Sequence, residues 1–208
     1  MTRRRRHAAA FTLIELMVVL GIVAILLGLL MPTLSRVRQH AKQVTCQSNM
    51  RQVGQLLLIY ATTYDGFIFP LGPDDDQPRL GMWVEPPKRW PVLVKGLERW
   101  NHPLLLCPQD EEPLEEHSYA LNWYFYQHAV RFHTSNLAGR RPAEVVLMGE
   151  KRAEANNYFI GSETDYDYAA EEFKHGLRLG SNYLFLDLHV SPLPASANVR
   201  RLYDPWGQ

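Results

Sequence analysis

An unbroken apolar run near the N-terminus decides more about this chain than anything else in it. From Leu16 to Met31 the sequence reads LMVVLGIVAILLGLLM, sixteen consecutive residues without a charge or a polar side chain. As a helix rising ~1.5 Å per residue, the stretch from Phe11 to Met31 is roughly 30 Å long, the thickness of a bilayer's hydrocarbon core. It is read as a membrane span. Four arginines, Arg3 to Arg6, precede it, which sets the N-terminus on the cytoplasmic side and the remainder outside, although Arg36, Arg38 and Lys42 reduce the asymmetry. A cleaved secretory signal fits poorly, because the run ends at Met31-Pro32-Thr33 rather than at a small-residue exit. A twin-arginine signal has only Thr2-Arg3-Arg4 in its favour.

Charge narrows the function classes. The chain has 22 basic and 22 acidic residues, and with Arg3 to Arg6 set aside the rest is net acidic. No nucleic-acid partner is expected, since duplex binding normally needs a basic surface.

A plain anchor leaves Glu15 unexplained. A carboxylate in an apolar helix costs a few kcal/mol and asks for a partner. If the chain is cut between Ala10 and Phe11, the new α-amino group is a cation at the helix end, and Glu15 of a neighbouring subunit can neutralise it. Glu15 then acts as a registry device for assembly.

With the basic leader, the string Phe11-Thr12-Leu13-Ile14-Glu15, the apolar run and Pro32, the chain resembles the type IV pilin and type II secretion pseudopilin superfamily. The resemblance implies removal of Met1 to Ala10 by a prepilin peptidase, methylation at Phe11, and docking of subunits through Glu15. The family normally carries Gly where this chain has Ala10. Further strings resemble a bacterial group of pseudopilin-like proteins: Cys46-Gln-Ser-Asn-Met-Arg-Gln-Val-Gly, Cys107-Pro108-Gln-Asp110, Ser118-Tyr119-Ala-Leu-Asn122, and His175-Gly176 with Asn182-Tyr-Leu-Phe-Leu-Asp187-Leu-His189-Val190. Leu188 stands where that group has a turn glycine, and Leu tolerates positive φ poorly.

Pro32 lacks an amide hydrogen and is expected to bend or locally melt the helix. Beyond it, Leu34, Val37, Ala41 and Val44, then Cys46, Met50, Val53, Leu57, Tyr60 and Tyr64, recur at helical spacing to about Thr63, with a phase slip near Thr45. Arg36, Arg38, Lys42 and Arg51 lie on the polar side. Tyr64-Asp65-Gly66 ends the helix. The expected fold is α+β: a pilin-like long N-terminal helix, half membrane-spanning and half amphipathic, on a small antiparallel β-sheet with long loops. The expected divisions are a leader at 1–10, a transmembrane helix at 11–31, a stalk helix at 32–64 and a periplasmic head at 65–208. Strands are predicted at Val145–Met148, Tyr158–Ile160 and Asn182–Val190, with a weaker one at Leu104–Cys107, and strand and loop around Trp123 and Tyr124.

Cys46 and Cys107 are expected to face an oxidising compartment and are read as a disulfide, with two buried thiols as the alternative. Among metal-ligand candidates, His175, Asp187 and His189 form the best available trio, with ordinary polar pairs as the alternative. No cofactor is expected: Asp74, Asp75 and Asp76, and Glu163, Asp165 and Asp167, are read as solvated acidic loops, with calcium as the alternative. No catalytic motif is present, and no enzyme activity is expected. The expected role is that of a filament subunit at the inner membrane, head in the periplasm, supporting type II secretion or a pilus. Its partners would be like or unlike pilin-type subunits, the prepilin peptidase and the assembly platform. The competing readings are a membrane-anchored exported hydrolase, or a surface binding protein using Trp83, Trp90, Trp100 and Trp123.

Overall fold

A computed structural model describes residues 12–68, 91, 94, 102–111, 113–114, 117–127, 131–132, 137–161, 163–170, 173–194, 197 and 199–204. Contacts divide the chain into two compact units, Met1–His40 and Ala41–Gln208.

Helix α1 runs without interruption from Leu13 to Thr63, through Pro32. Its start is a reciprocal cap. The Thr12 amide and hydroxyl both donate to Glu15 Oε2, at 2.9 and 2.7 Å, while the Glu15 amide donates back to Thr12 Oγ1 at 3.3 Å. This is the Thr-x-x-Glu box, which satisfies otherwise orphaned N–H groups of the first turn. In the first unit every described residue to His40 is exposed, and α1 is long and apolar enough to cross a membrane. Water does not tolerate an apolar surface of that extent. The chain is membrane-associated through this helix.

From Ala41 onward α1 belongs to the second unit, and its apolar stripe becomes core. Cys46, Met50, Val53 and Leu57 are wholly buried, and Tyr60 is nearly so. Gly54 brings the helix close to the sheet: a Cβ there would lie 2.9 Å from Leu184 Cδ2. The helix stops where Asp65 and Gly66 take positive φ, 52° and 82°, and the Gly66 amide closes onto Ala61 O at 2.7 Å.

The sheet has five strands, β1 Tyr119–Asn122, β2 Val146–Glu150, β3 Phe159–Ile160, β4 Ser181–Phe185 and β5 Val190–Leu193, in the order β3-β1-β2-β4-β5. Its pairings are antiparallel except β1 with β3. Side chains alternate between its faces, as the strand period requires. Tyr119, Leu121, Leu184 and Leu186 join the α1 stripe in one core. Ala120, Tyr183 and Phe185 join Tyr203 and Ala169 in a second, under the helix Glu163–Ala169 and the turn Arg200–Tyr203. A long N-terminal helix packed on a small open, largely antiparallel sheet is the α+β pilin-like arrangement.

Three local expectations are corrected. Leu104–Cys107 is no strand: Pro103–Leu105 is a 3-10 turn, favoured by Pro103 at its start and by the His102 ring accepting from the Leu104 amide at 3.2 Å. The strand read over Asn182–Val190 is two strands and a tight reversal, with Leu188 at φ 70° and its amide bonded to Phe185 O at 2.9 Å. The segment around Trp123 is β1 followed by a helical turn, Tyr124–Gln127, entered through the Asn122 side chain accepting from the Tyr124 amide at 3.0 Å.

Candidate metal centre

Four segments distant in sequence deliver their side chains to one point on the α1 face of the sheet. Cys46 comes from α1, at the start of the buried stripe. Glu150 closes β2, where pairing with Tyr119 fixes its backbone. Cys107 follows the 3-10 turn; its amide donates to Ser118 Oγ at 2.9 Å, and the Asp110 amide closes onto its carbonyl at 2.9 Å. His175 sits in the turn before β4, its amide bonded to Gly180 O at 3.0 Å, with Gly176 at φ 91° completing the reversal.

The donor atoms of Cys46, Cys107, Glu150 and His175 all lie within 4.8 Å of one another. Glu150 Oε1 is 2.6 Å from Cys46 Sγ and 2.9 Å from His175 Nε2, and Cys107 Sγ is 3.7 Å from the same nitrogen. Cys46, Cys107 and Glu150 are wholly buried and His175 is 3% exposed. Around them, Asn182 donates its amide to Glu150 Oε2 at 2.7 Å and its side-chain nitrogen to Oε1 at 3.2 Å. Gln47 in turn donates to Asn182 Oδ1 at 2.9 Å, so α1 also braces the residue that aims the carboxylate. The Tyr119 hydroxyl is 3.1 Å from Cys46 Sγ.

Electrostatics sort the four groups. Hydrogen bonding from Cys46 holds the Cys107 thiol down at about 7 against the opposing effect of burial, with His175 adding to the lowering. Cys46 is pushed strongly upward, by burial first and then by Cys107 and Glu150. Burial works against a charged His175, but its contacts with Cys107 and Glu150 raise it to about 9. Burial likewise opposes the Glu150 carboxylate, and His175, Cys46 and the Asn182 amide together keep it below its ordinary value. A carboxylate held below its ordinary value and a thiol lowered to about 7 thus face one imidazole in a buried interior, a setting that favours an added cation.

The shape separates two chemistries. In a nucleophilic cysteine site the thiol uses one ring nitrogen and an orienting group the other. Here Cys107 and Glu150 both address Nε2, while Nδ1 is buried with no partner among the described residues. Donors that meet at a common point form a set capable of coordinating a metal ion. A tetrahedral ion with about 2.3 Å to sulfur and about 2.0–2.1 Å to nitrogen or oxygen holds its donors about 3.3–3.8 Å apart. The Cys107–His175 spacing already has that value, and Glu150 would retreat by less than about 1 Å.

Two expectations are overturned by this cluster. A chain without enzymatic chemistry was expected, and the converging Cys-Cys-Glu-His set is of the kind found at catalytic and metal-binding sites. No cofactor beyond calcium was expected, and this set is capable of coordinating a metal ion of another class, because two sulfur donors suit a transition metal whereas calcium takes oxygens.

The other sequence-derived sites are placed as follows. Cys46 and Cys107 come together as two buried thiols. His175 is separated from the other members of its trio: Asp187 and His189 pair with each other at 2.5 Å, well exposed, in the β4–β5 reversal. Asp167 lies 3.5 Å from Arg200, and Trp123 packs edge-on against Phe159 at 5.5 Å. Glu15 and Pro32 lie in α1. Ala10, Phe11, Asp74, Asp75, Asp76, Trp83, Trp90 and Trp100 lie outside the described residues, as do the side chains of Glu163 and Asp165. Glu150 was missed; its one signal is an acid directly after the apolar strand VVLMG.

Comparison with known proteins bears on the N-terminus. The family described as the prokaryotic N-terminal methylation motif matches residues 5–31. That motif is consistent with prepilin-like proteins and covers far less than half of the chain. No curated protein and no solved structure matches.

Proposed function

We propose that the chain is a membrane-anchored exported protein whose head acts through a metal centre formed by Cys46, Cys107, Glu150 and His175. The observation that supports this reading is the meeting of four buried donor atoms from four distant segments within 4.8 Å of one another. Cys46, Cys107, Glu150 and His175 would hold the ion, which would supply Lewis-acid chemistry to a hydrolytic centre. Oxidation of the two thiols to a disulfide would remove half of the ligands and compete with the ion. The test is elemental analysis of the full chain purified in detergent under reducing conditions. One equivalent of a zinc-class ion is expected, lost in Cys107→Ser and His175→Ala; a chain with both thiols reduced that holds no metal overturns the proposal. Hydrolysis of ester or phosphoester substrates that stops on chelation would place the centre in catalysis.

A second reading rests on the methylation motif at residues 5–31. In it, cleavage between Ala10 and Phe11 frees an amine for Glu15 of a neighbouring subunit, and Pro32 adjusts the helix above the span. The anchored head then faces the periplasm from the inner membrane and joins a pseudopilus or pilus with other subunits, the prepilin peptidase and the assembly platform. The two readings are compatible, since one concerns the anchor and the other the head.

A further inference from the structure

Next to the ligand cluster lies a buried ion pair with no part in ligation. Lys174 Nζ is 2.6 Å from Asp110 Oδ1, and the two side chains are 4% and 5% exposed. Each belongs to a ligand-bearing loop. Asp110 stands three residues after Cys107 and closes that turn through its amide onto Cys107 O, at 2.9 Å. Lys174 directly precedes His175, and its own amide is fixed to Ser181 Oγ at 3.0 Å.

We infer that Asp110 and Lys174 are positioning residues, a clamp that sets the Cys107-to-His175 spacing of the metal centre. The inference rests on the metal reading above. Burying two opposite charges is an inefficient way to gain stability, because desolvation cancels most of the attraction and apolar replacements serve as well. The second Asp110 oxygen is moreover buried without a partner among the described residues, a further cost. What the pair supplies, and apolar residues do not, is a fixed distance between two turns. Partners standing just behind ligands orient them, and their loss typically weakens metal binding about 10–100-fold.

The test uses the full chain in detergent, with Zn²⁺ affinity measured by competition against a chromophoric chelator and site geometry read from the visible spectrum of the Co²⁺ form. Asp110→Leu combined with Lys174→Met removes both charges, so that neither is stranded. This variant is expected to melt, metal-free, within a few degrees of the wild type, to bind Zn²⁺ about 10–100-fold more weakly and to lose the tetrahedral Co²⁺ bands. Asp110→Glu with Lys174→Arg is expected to retain them. Unchanged affinity and spectrum in the double apolar variant overturn the clamp while leaving the metal centre standing. A loss of affinity that merely parallels unfolding of the metal-free variant also overturns it. A wild-type chain that takes up neither ion overturns the metal reading itself, and the clamp with it.

Discussion

The Glu150 carboxylate is wholly buried and is held by His175, Cys46 and Asn182 together. Glu150→Gln keeps the shape and an oxygen for the Asn182 amide but turns an NH₂ donor towards His175 and Cys46, and breaking a buried pair in this way costs about 3–5 kcal/mol. Urea denaturation of the reduced, metal-free chain should show a loss of that size; a change below about 1 kcal/mol would mean that Glu150 is not charged in the folded state. A sharper contrast lies between the two histidines. His175→Ala should abolish metal retention, whereas His189→Ala, in a half-exposed pair with Asp187, should leave it intact, as measured by metal content after gel filtration.

At the level of elements, the stripe Cys46, Met50, Val53, Leu57 holds helix and sheet together. Met50 is wholly buried, and Met50→Ala should cost about 2–5 kcal/mol in the same denaturation experiment, against almost nothing for the exposed Val44. This stripe was legible in the sequence because helical spacing and apolar character coincide there. The β4–β5 reversal was not. Alternation continues through Asp187-Leu188-His189, so periodicity alone cannot see the turn, and Leu188 enters the left-handed region that usually demands Gly. The metal centre was half legible. Cys46 and Cys107 were singled out as a pair and His175 apart from them, but the convergence of all four depends on tertiary packing that brings together positions up to 129 residues apart, and Glu150 reads locally as the polar end of a strand. The Thr12–Glu15 cap was readable in principle from Thr-x-x-Glu. It gives Glu15 a local role in the single chain, beside the intermolecular role proposed for it.

For the whole molecule, the anchor and the head make separable claims. Mass spectrometry of the protein taken from membranes should find a methylated Phe11 at the N-terminus; an intact Met1 to Ala10 segment would reduce α1 to a plain anchor. Glu15→Ala should still insert into the membrane and yet fail to assemble, read by cross-linking of neighbouring subunits, and unaltered assembly in that variant would refute the docking role. The central claim concerns the head, and X-ray absorption at the metal edge of the reduced, full-length chain addresses it directly. A first shell of two sulfur and two nitrogen or oxygen neighbours, at about 2.3 Å and about 2.0–2.2 Å, is the predicted result. A shell of oxygen and nitrogen alone, or a protein that holds no metal, would contradict it.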